Sequence, residues 1–379
     1  MHKIYALILG AATLTAQIPV QPRNTLAFAE HPEVGSDAAL KAEENDPDLP
    51  RLLCRMGSST ASAIFNASEA EKVVRLGLTL LARNDVAETA DAAICLITLA
   101  RILESKGQLK QSVQELKQAL AIRERLFGPN HLLVADTLNL LGLALYHQGL
   151  MADAEQCYGA AVEILRKQAP SMDLAAALSN LGNAISAQGR LREGEERTRE
   201  ALSIWESVAG PDDPSVAVGL TNLAVLLQAR KQYEEAALLL NRARNIDEKK
   251  YPANHPRIGM DLNAAGVLAT TRKNYREAED LLVRSAMIVE KALSPQDPER
   301  GQVLLNLGEV YRLEKKMSQA GEALKRGLTT VMAAWDPNDA RLPTWMDKLA
   351  LVLKSQEEFA AAEELEIRAT RIRTKHALH

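Results

Sequence analysis

From about residue 89 onward the apolar positions of this chain recur at a fixed interval. A Leu followed by a small residue appears as Leu99-Ala100, Leu141-Gly142, Leu181-Gly182, Leu223-Ala224, Leu307-Gly308 and Leu349-Ala350, and Ala265-Gly266 completes the series. The steps are 42, 40, 42, 42, 42 and 42 residues. Twelve residues past each small residue lies a second small column: Ser112, Ala154, Gly194, Ala236, Ala278, Ala320 and Ala362. Seven further on lies a third: Ala119, Ala161, Ala201, Ala243, Ser285, Gly327 and Ala369. Small residues in register are what two helices need where their backbones approach, with larger apolar residues filling the grooves around them. Those larger residues recur as Leu103, Leu145, Ile185, Leu227, Tyr311 and Leu353, and a bulky residue opens each second segment: Leu109, Met151, Leu191, Tyr233, Tyr275, Met317 and Phe359. Short polar or Gly-bearing turns separate the segments, as in Lys106-Gly107-Gln108, Gln148-Gly149-Leu150, Gln188-Gly189-Arg190 and Arg230-Lys231-Gln232. The pattern predicts an all-α chain in which each unit is a helical hairpin.

A second kind of break joins one unit to the next: Gly128-Pro129-Asn130-His131, Gly210-Pro211-Asp212-Asp213-Pro214, Ala253-Asn254-His255-Pro256, Gln296-Asp297-Pro298 and Asp336-Pro337-Asn338-Asp339. Asp or Asn caps the next helix and Pro suits its first turn. The three small columns, with a bulky residue between them, resemble the tetratricopeptide repeat signature. The length of the units and linkers such as Phe127-Gly128-Pro129-Asn130-His131 resemble its 42-residue kinesin-light-chain-like subclass. The resemblance covers seven repeats over residues 89–379 and implies a right-handed superhelical solenoid of antiparallel hairpins. Residues 68–80 repeat the second-helix register as a half repeat within an irregular N-terminal cap, 51–88, whose residues 51–66 carry no readable pattern. The departures are Ala265 in place of the column Leu, and Gly194 and Thr198, which are expected to weaken the third repeat.

The N-terminus changes the picture of where the array works. Lys3, a 13-residue apolar stretch from Ile4 to Ala16, and small residues before two candidate cleavage points, after Ala16 or after Ala29, read as a signal peptide over 1–29. The stretch is too short to span a bilayer, so export to a periplasmic or secreted location is expected, with no stable membrane span after signal removal. Residues 30–50 hold seven acidic side chains against Lys41, with three prolines, and read as a flexible acidic linker. Three cysteines, Cys54, Cys95 and Cys157, have no metal-ligand spacing. An odd count leaves at least one thiol free, and a Cys54–Cys95 bond stands open beside the reading of small buried hydrophobes. Asn66-Ala67-Ser68 fits a glycosylation acceptor, relevant only in a eukaryotic host.

Charge and motifs narrow the function classes. Lys and Arg number 45 against 49 Asp and Glu, and 4% of residues are aromatic, so neither a polyanion-binding field nor a base-stacking platform is expected, and nucleic acid is not a partner. No phosphate loop, H-E-x-x-H, G-x-S-x-G or calcium loop occurs. No enzyme activity, cofactor or metal site is expected. His131 and His255 stand in interrepeat loops three units apart and read as helix-capping residues, and Glu195-Glu196, Glu234-Glu235 and Glu363-Glu364 as solvated faces.

By resemblance, the first helices of such hairpins line a concave groove. The positions it assigns to that groove include Asn139 and Tyr146, then Ser179, Asn180, Asn183 and Ser186, then Asn222 and Gln228, then Asn263, and finally Asn306, Glu309, Arg312 and Lys348. The middle units offer amides and hydroxyls and the C-terminal ones offer charges. Carboxamides one repeat apart donate to and accept from a peptide main chain, while an Asn beside the column Leu equally serves to brace adjacent helices. The expected function is a protein–protein interaction scaffold that holds a peptide or partner domain in this groove. The alternative is a structural or assembly subunit of an oligomeric or envelope complex acting through its uncapped end or convex face, with the C-terminal helix as the candidate contact for a homo-oligomer.

Overall fold

The computed structural model describes residues 49–60, 67–83, 88–335, 337–339 and 341–377. The expected signal peptide, nearly all of the acidic linker and Asn66 lie outside them. Sixteen helices and no strand occupy the described residues. They follow as eight pairs: α1 Leu49–Thr60 and α2 Ala67–Arg83, α3 Ala90–Ser105 and α4 Leu109–Phe127, α5 Leu132–His147 and α6 Met151–Leu165, α7 Met172–Ala187 and α8 Leu191–Ala209. Then come α9 Pro214–Ala229 and α10 Tyr233–Lys250, α11 Pro256–Thr271 and α12 Tyr275–Ala292, α13 Pro298–Leu313 and α14 Met317–Ala334, α15 Leu342–Ser355 and α16 Phe359–Ala377. The chain divides into two compact units within α5, one holding α1 to α4 and α5 up to Ala144, the other running from Leu145 through α16.

In the N-terminal unit the half repeat is completed. Helix α1 packs along α2, so the segment preceding residue 89 is a full hairpin rather than an irregular cap with half a repeat. The sequence hid it because the position where the column Leu belongs, twelve and thirteen residues before Ala70, is occupied by Gly57-Ser58. Cys54 on α1 and Cys95 on α3 form a disulfide across a Cα separation of 5.1 Å, within the range such a bond spans. Gly77 of α2 lies against it, and a Cβ there would stand 2.8 Å from Cys54 Sγ. Arg51 reaches Asp91 with two hydrogen bonds of 2.9 Å, and Lys106 pairs with Glu71 at 2.6 Å.

In the C-terminal unit the second helices α8, α10, α12 and α14 each pack on their own first helix and on the first helix that follows. The burden of burial falls unequally. In α9, 13 of 16 residues are buried, whereas α8 buries Gly194, Glu195, Thr198, Ala201 and Trp205 alone. A helix apolar on all sides belongs inside a stack and one with a single apolar stripe on its surface, which is how the two sequence types sort themselves here.

Every first helix from α3 to α15 with a described end closes in one way. The amide two residues past the cap bonds back five residues, as in Gln108 N to Leu103 O, Gln232 N to Leu227 O and Lys316 N to Tyr311 O, while the preceding amide bonds back three. This is the Schellman arrangement, and it requires left-handed backbone at the residue between. Gly107, Gly149 and Gly189 hold that position early in the chain, at φ of 70°, 81° and 91°; Lys231, Lys273, Lys315 and Glu357 hold it later, at 62° to 65°. Starts are capped as the interrepeat breaks imply: Ser171, Asp213, His255 and Asp297 each accept from an amide in the first turn, and Pro follows the last three. His131 caps α5 in the same manner, accepting from Leu133 N at 3.1 Å.

Gly194, a departure from the Ala of its column, permits a close approach. A Cβ on Gly194 would lie 2.5 Å from Gly182 O and would overlap Ser186 Oγ, and one on Gly182 would lie 2.7 Å from Gly194 O. Helices α7 and α8 thus pack backbone to backbone, with Thr198 Oγ1 bonded to Gly194 O at 3.0 Å. At the far end, α16 replaces the apolar stacking residues of inner units with polar ones. Glu366 stands where α10, α12 and α14 have Leu240, Leu282 and Leu324, and Arg373 stands where α12 and α14 have Val289 and Val331. Both are engaged within the last hairpin, Glu366 by Lys354 at 2.6 Å and Arg373 by Asp347. A polar outer face of this kind is what ends a repeat stack in water, although Phe359 and Ile367 stay exposed on the same helix.

Candidate binding face on the first helices

Successive first helices α7, α9, α11, α13 and α15 approach one another directly. The residues they turn toward each other are polar, and most of them are buried. Asn222 Nδ2 of α9 donates to Ser179 Oγ of α7 at 3.1 Å. Asn306 Nδ2 of α13 donates to Asn263 Oδ1 of α11 at 2.9 Å, and Gln302 Nε2 donates to Asn306 Oδ1 at 3.3 Å. Gln228 Nε2 of α9 donates to Thr271 Oγ1 of α11 at 2.6 Å. Each bond between helices joins residues 43 apart, one more than the repeat, so a residue meets the position beside its own equivalent in the neighbouring unit.

The ladder consumes some of each amide and leaves the rest unused. Asn222 Oδ1, Asn263 Nδ2 and Gln302 Oε1 are buried with no hydrogen-bond partner among the described residues. Two acceptors and one donor therefore run along the face. Ser186, assigned to the same face from sequence, instead meets Gly194 inside the α7–α8 hairpin.

Toward the C-terminal end the face becomes ionic. Glu309 takes Arg312 through both carboxylate oxygens, at 2.8 and 3.1 Å, and Lys348 Nζ of α15 lies 3.2 Å from Glu309 Oε1. Lys348 also sits 4.2 Å from the centre of the Trp345 ring. Burial holds its ammonium below the usual lysine range, against the Glu309 charge, which raises it. At the other end Tyr146 is buried, and burial pushes its hydroxyl up to about 12 with the Arg341 charge opposing. Burial also takes the neighbouring His147 down to about 4, helped by Arg341 and resisted by Asp339.

Of the residues picked from sequence, Asn222, Gln228, Asn263, Asn306, Arg312 and Lys348 are thus linked through the ladder or its ionic end. Asn180 and Asn183 are half-buried on α7, and Asn139 is half-buried on α5 in the N-terminal unit. Sequence reading missed Gln302 and Thr271. The signal for Gln302 was its place four residues before Asn306, one helical turn along the same face. Outside this face, Glu195 is braced rather than solvated: although burial raises its pKa, hydrogen bonds from Arg199 and from Arg230 of the next unit hold it below the ordinary carboxylate value. Among the described residues no helix is long and apolar enough to cross a membrane.

Comparison with known proteins fits this geometry. The tetratricopeptide repeat family matches residues 90–167 and 173–249, and a second profile of the same description matches 344–377. Two curated relatives, Clustered mitochondria protein homologs of Coccidioides immitis (strain RS) and Aspergillus clavatus, are each 24% identical over 148 residues, 38% of this chain. The match takes in 11% and 12% of their respective lengths, so the chain spans about a tenth of the relatives it resembles. Among solved structures, a Rap protein complexed with Competence and Sporulation Factor aligns over 86% of this chain and 98% of its own, with a TM-score of 0.57 and 17% identity. RapI in its apo form aligns over 76% and 100%, with a TM-score of 0.55 and 12% identity. These likenesses speak for the fold. With its registered small columns, repeated Schellman ends and matching family profiles, the chain belongs to the tetratricopeptide repeat family.

Proposed function

We propose that the protein is an interaction scaffold whose first-helix face, from α7 to α15, holds an extended segment of a partner protein. The observation that carries this reading is the row of buried polar atoms left without partners, Asn222 Oδ1, Asn263 Nδ2 and Gln302 Oε1, on successive first helices. Buried polar groups are ordinarily paired, and a peptide main chain offers both the N–H and the C=O that this row lacks. Asn180 and Asn183 extend the same amide chemistry toward α7, and the cluster of Glu309, Arg312 and Lys348 sets a charged limit at the other end. A Rap protein of similar fold is solved with Competence and Sporulation Factor bound, which supports this use of the architecture.

Assembly through the C-terminal helix has less support, because the stacking positions of α16 carry Glu366 and Arg373. We also infer export. The leader-like residues 1–29 motivate this reading and the Cys54–Cys95 disulfide supports it, since such bonds persist in oxidising compartments. Mass spectrometry of the natural protein, alkylated without reduction, should find Cys54 and Cys95 blocked and the leader removed. An intact leader with both thiols alkylated overturns the export reading.

The binding face is tested by placing a photo-crosslinking residue at Val225 or Val267, half-buried on α9 and α11, and in parallel at Leu238 or Met287, exposed on α10 and α12. Crosslinking of one partner from the first pair of positions alone is expected. Crosslinking from the second pair alone would place the partner on the other face.

A further inference from the structure

From α4 onward, each junction between consecutive units of the array has an equivalent pair of positions, one on a second helix and one on the following first helix. The pairs are Arg123 with Thr137, Leu165 with Ala177, Trp205 with Gly219, Asp247 with Asp261, Val289 with Val303, and Val331 with Trp345. Four of the six are complementary in size or chemistry. Arg123 Nη1 bonds to Thr137 Oγ1 at 2.7 Å; Gly219 leaves room for the Trp205 ring, which a Cβ would meet at 2.8 Å; Val289 and Val303 share one apolar cluster, and Val331 and Trp345 another. The junction between α10 and α11 alone sets one carboxylate against another.

Both are deeply placed, Asp247 at 0% and Asp261 at 4% exposure. Asp247 Oδ2 accepts from Arg257 Nε at 3.1 Å and Nη2 at 2.7 Å. Asp247 Oδ1 and Asp261 Oδ2 have no donor among the described residues, and the two side chains are within hydrogen-bonding reach of each other. Two buried like charges with one guanidinium between them do not balance, and two facing acceptor oxygens cannot bond without a hydrogen. A single proton satisfies both oxygens and leaves one negative charge for Arg257.

We propose that Asp247 and Asp261 share one proton across the α10–α11 junction, and that this proton makes the junction the pH-sensitive joint of the array. The surrounding charges agree. Arg257 lies on the same helix as Asp261, and Arg244 acts from α10. Helix α9, on the preceding side, carries no charged residue. From α13 on the following side come Glu299 and Arg300, Glu299 itself pushed up to about 6 by burial with the Asp297 charge adding to it. Arg300 is turned to Glu290 of α12, which also takes Arg326. Burial first, and then the Asp247 charge, push Asp261 up to about 8 from an ordinary 3.8. Between those values the folded chain holds a proton that the unfolded chain releases. The joint is therefore most stable below about pH 4, loses stability as pH rises through the window, and is weakest above about pH 8.

The test uses the full chain and Asp261→Asn, whose amide donates to Asp247 Oδ1 permanently and keeps the Arg257 pair. Melting temperatures are followed from about pH 5 to pH 9 together with amide exchange in α10 and α11, corrected for intrinsic base catalysis. The wild type should lose several degrees more than the variant across the range, with extra exchange confined to these two helices. Equal pH dependence in the two chains overturns the proposal, as does stabilisation of the wild type at pH 8 by a divalent cation, which would put a metal where we place the proton. Should Asp261→Asn fail to fold, the carboxyl carbon resonance of Asp261 in the wild type decides: titration near pH 8 supports the shared proton, and titration near pH 4 removes it.

Discussion

At the scale of single residues, the columns read from sequence mark where helices touch, but not how closely. Gly194 looked like an erosion of the small column and proves to be a point of close backbone approach, because Gly182 faces it. Replacing it with Ala would ordinarily favour a helix by about 1 kcal/mol. Here the added methyl has no room, so Gly194→Ala should destabilise the chain by roughly 1–3 kcal/mol, the usual cost of overpacking. Urea unfolding measures this, and a variant as stable as the wild type would mean that α7 and α8 stand further apart. The amide ladder shows another limit of sequence. Asn222 and Asn306 were legible as a stripe, yet that each gives one hydrogen bond to its neighbour was not, since the partner lies 43 residues away.

At the scale of elements, the repeated Schellman ends explain why turns of different composition serve one geometry. The hydrogen-bond pattern is the same with Gly at the left-handed position or with Lys, but a residue with a Cβ pays about 1–2 kcal/mol there. Glycine escapes that cost and loses some of the gain through the greater freedom of its unfolded chain. Lys273→Gly should therefore raise stability by roughly 0.5–1 kcal/mol, with Lys231→Gly alike. A loss of stability in thermal melts would contradict the assigned backbone. Helix existence was legible from the breaks, since Pro at the first turn and Asp or His before it announce the starts of α9, α11 and α13. Helix α1 was not, because Gly57, Ser58 and Ser59 erase the register and only packing on α2 and the Cys54–Cys95 bond reveal its partners.

At the scale of the whole molecule, fold class was legible because a repeat states its packing many times over, and one irregular unit does not hide the rest. Function was less so. A stripe of amides has the same sequence whether its polar atoms are spent on neighbours or offered to a ligand, and only the structure shows which are bonded and which are left unpaired. The central claim is that the unspent part of the first-helix face holds the partner. Titration of the crosslinked partner against purified variants tests it most directly: Asn183→Ala combined with Val225→Asp alters the inner face outside the bonded ladder, and Leu238→Asp combined with Met287→Asp alters the outer face. With helicity unchanged in both, the inner pair should weaken binding by about tenfold or more, the loss of at least ~1.4 kcal/mol, and the outer pair should leave it as it is. Full affinity in the inner pair, or loss in the outer pair alone, would contradict the account.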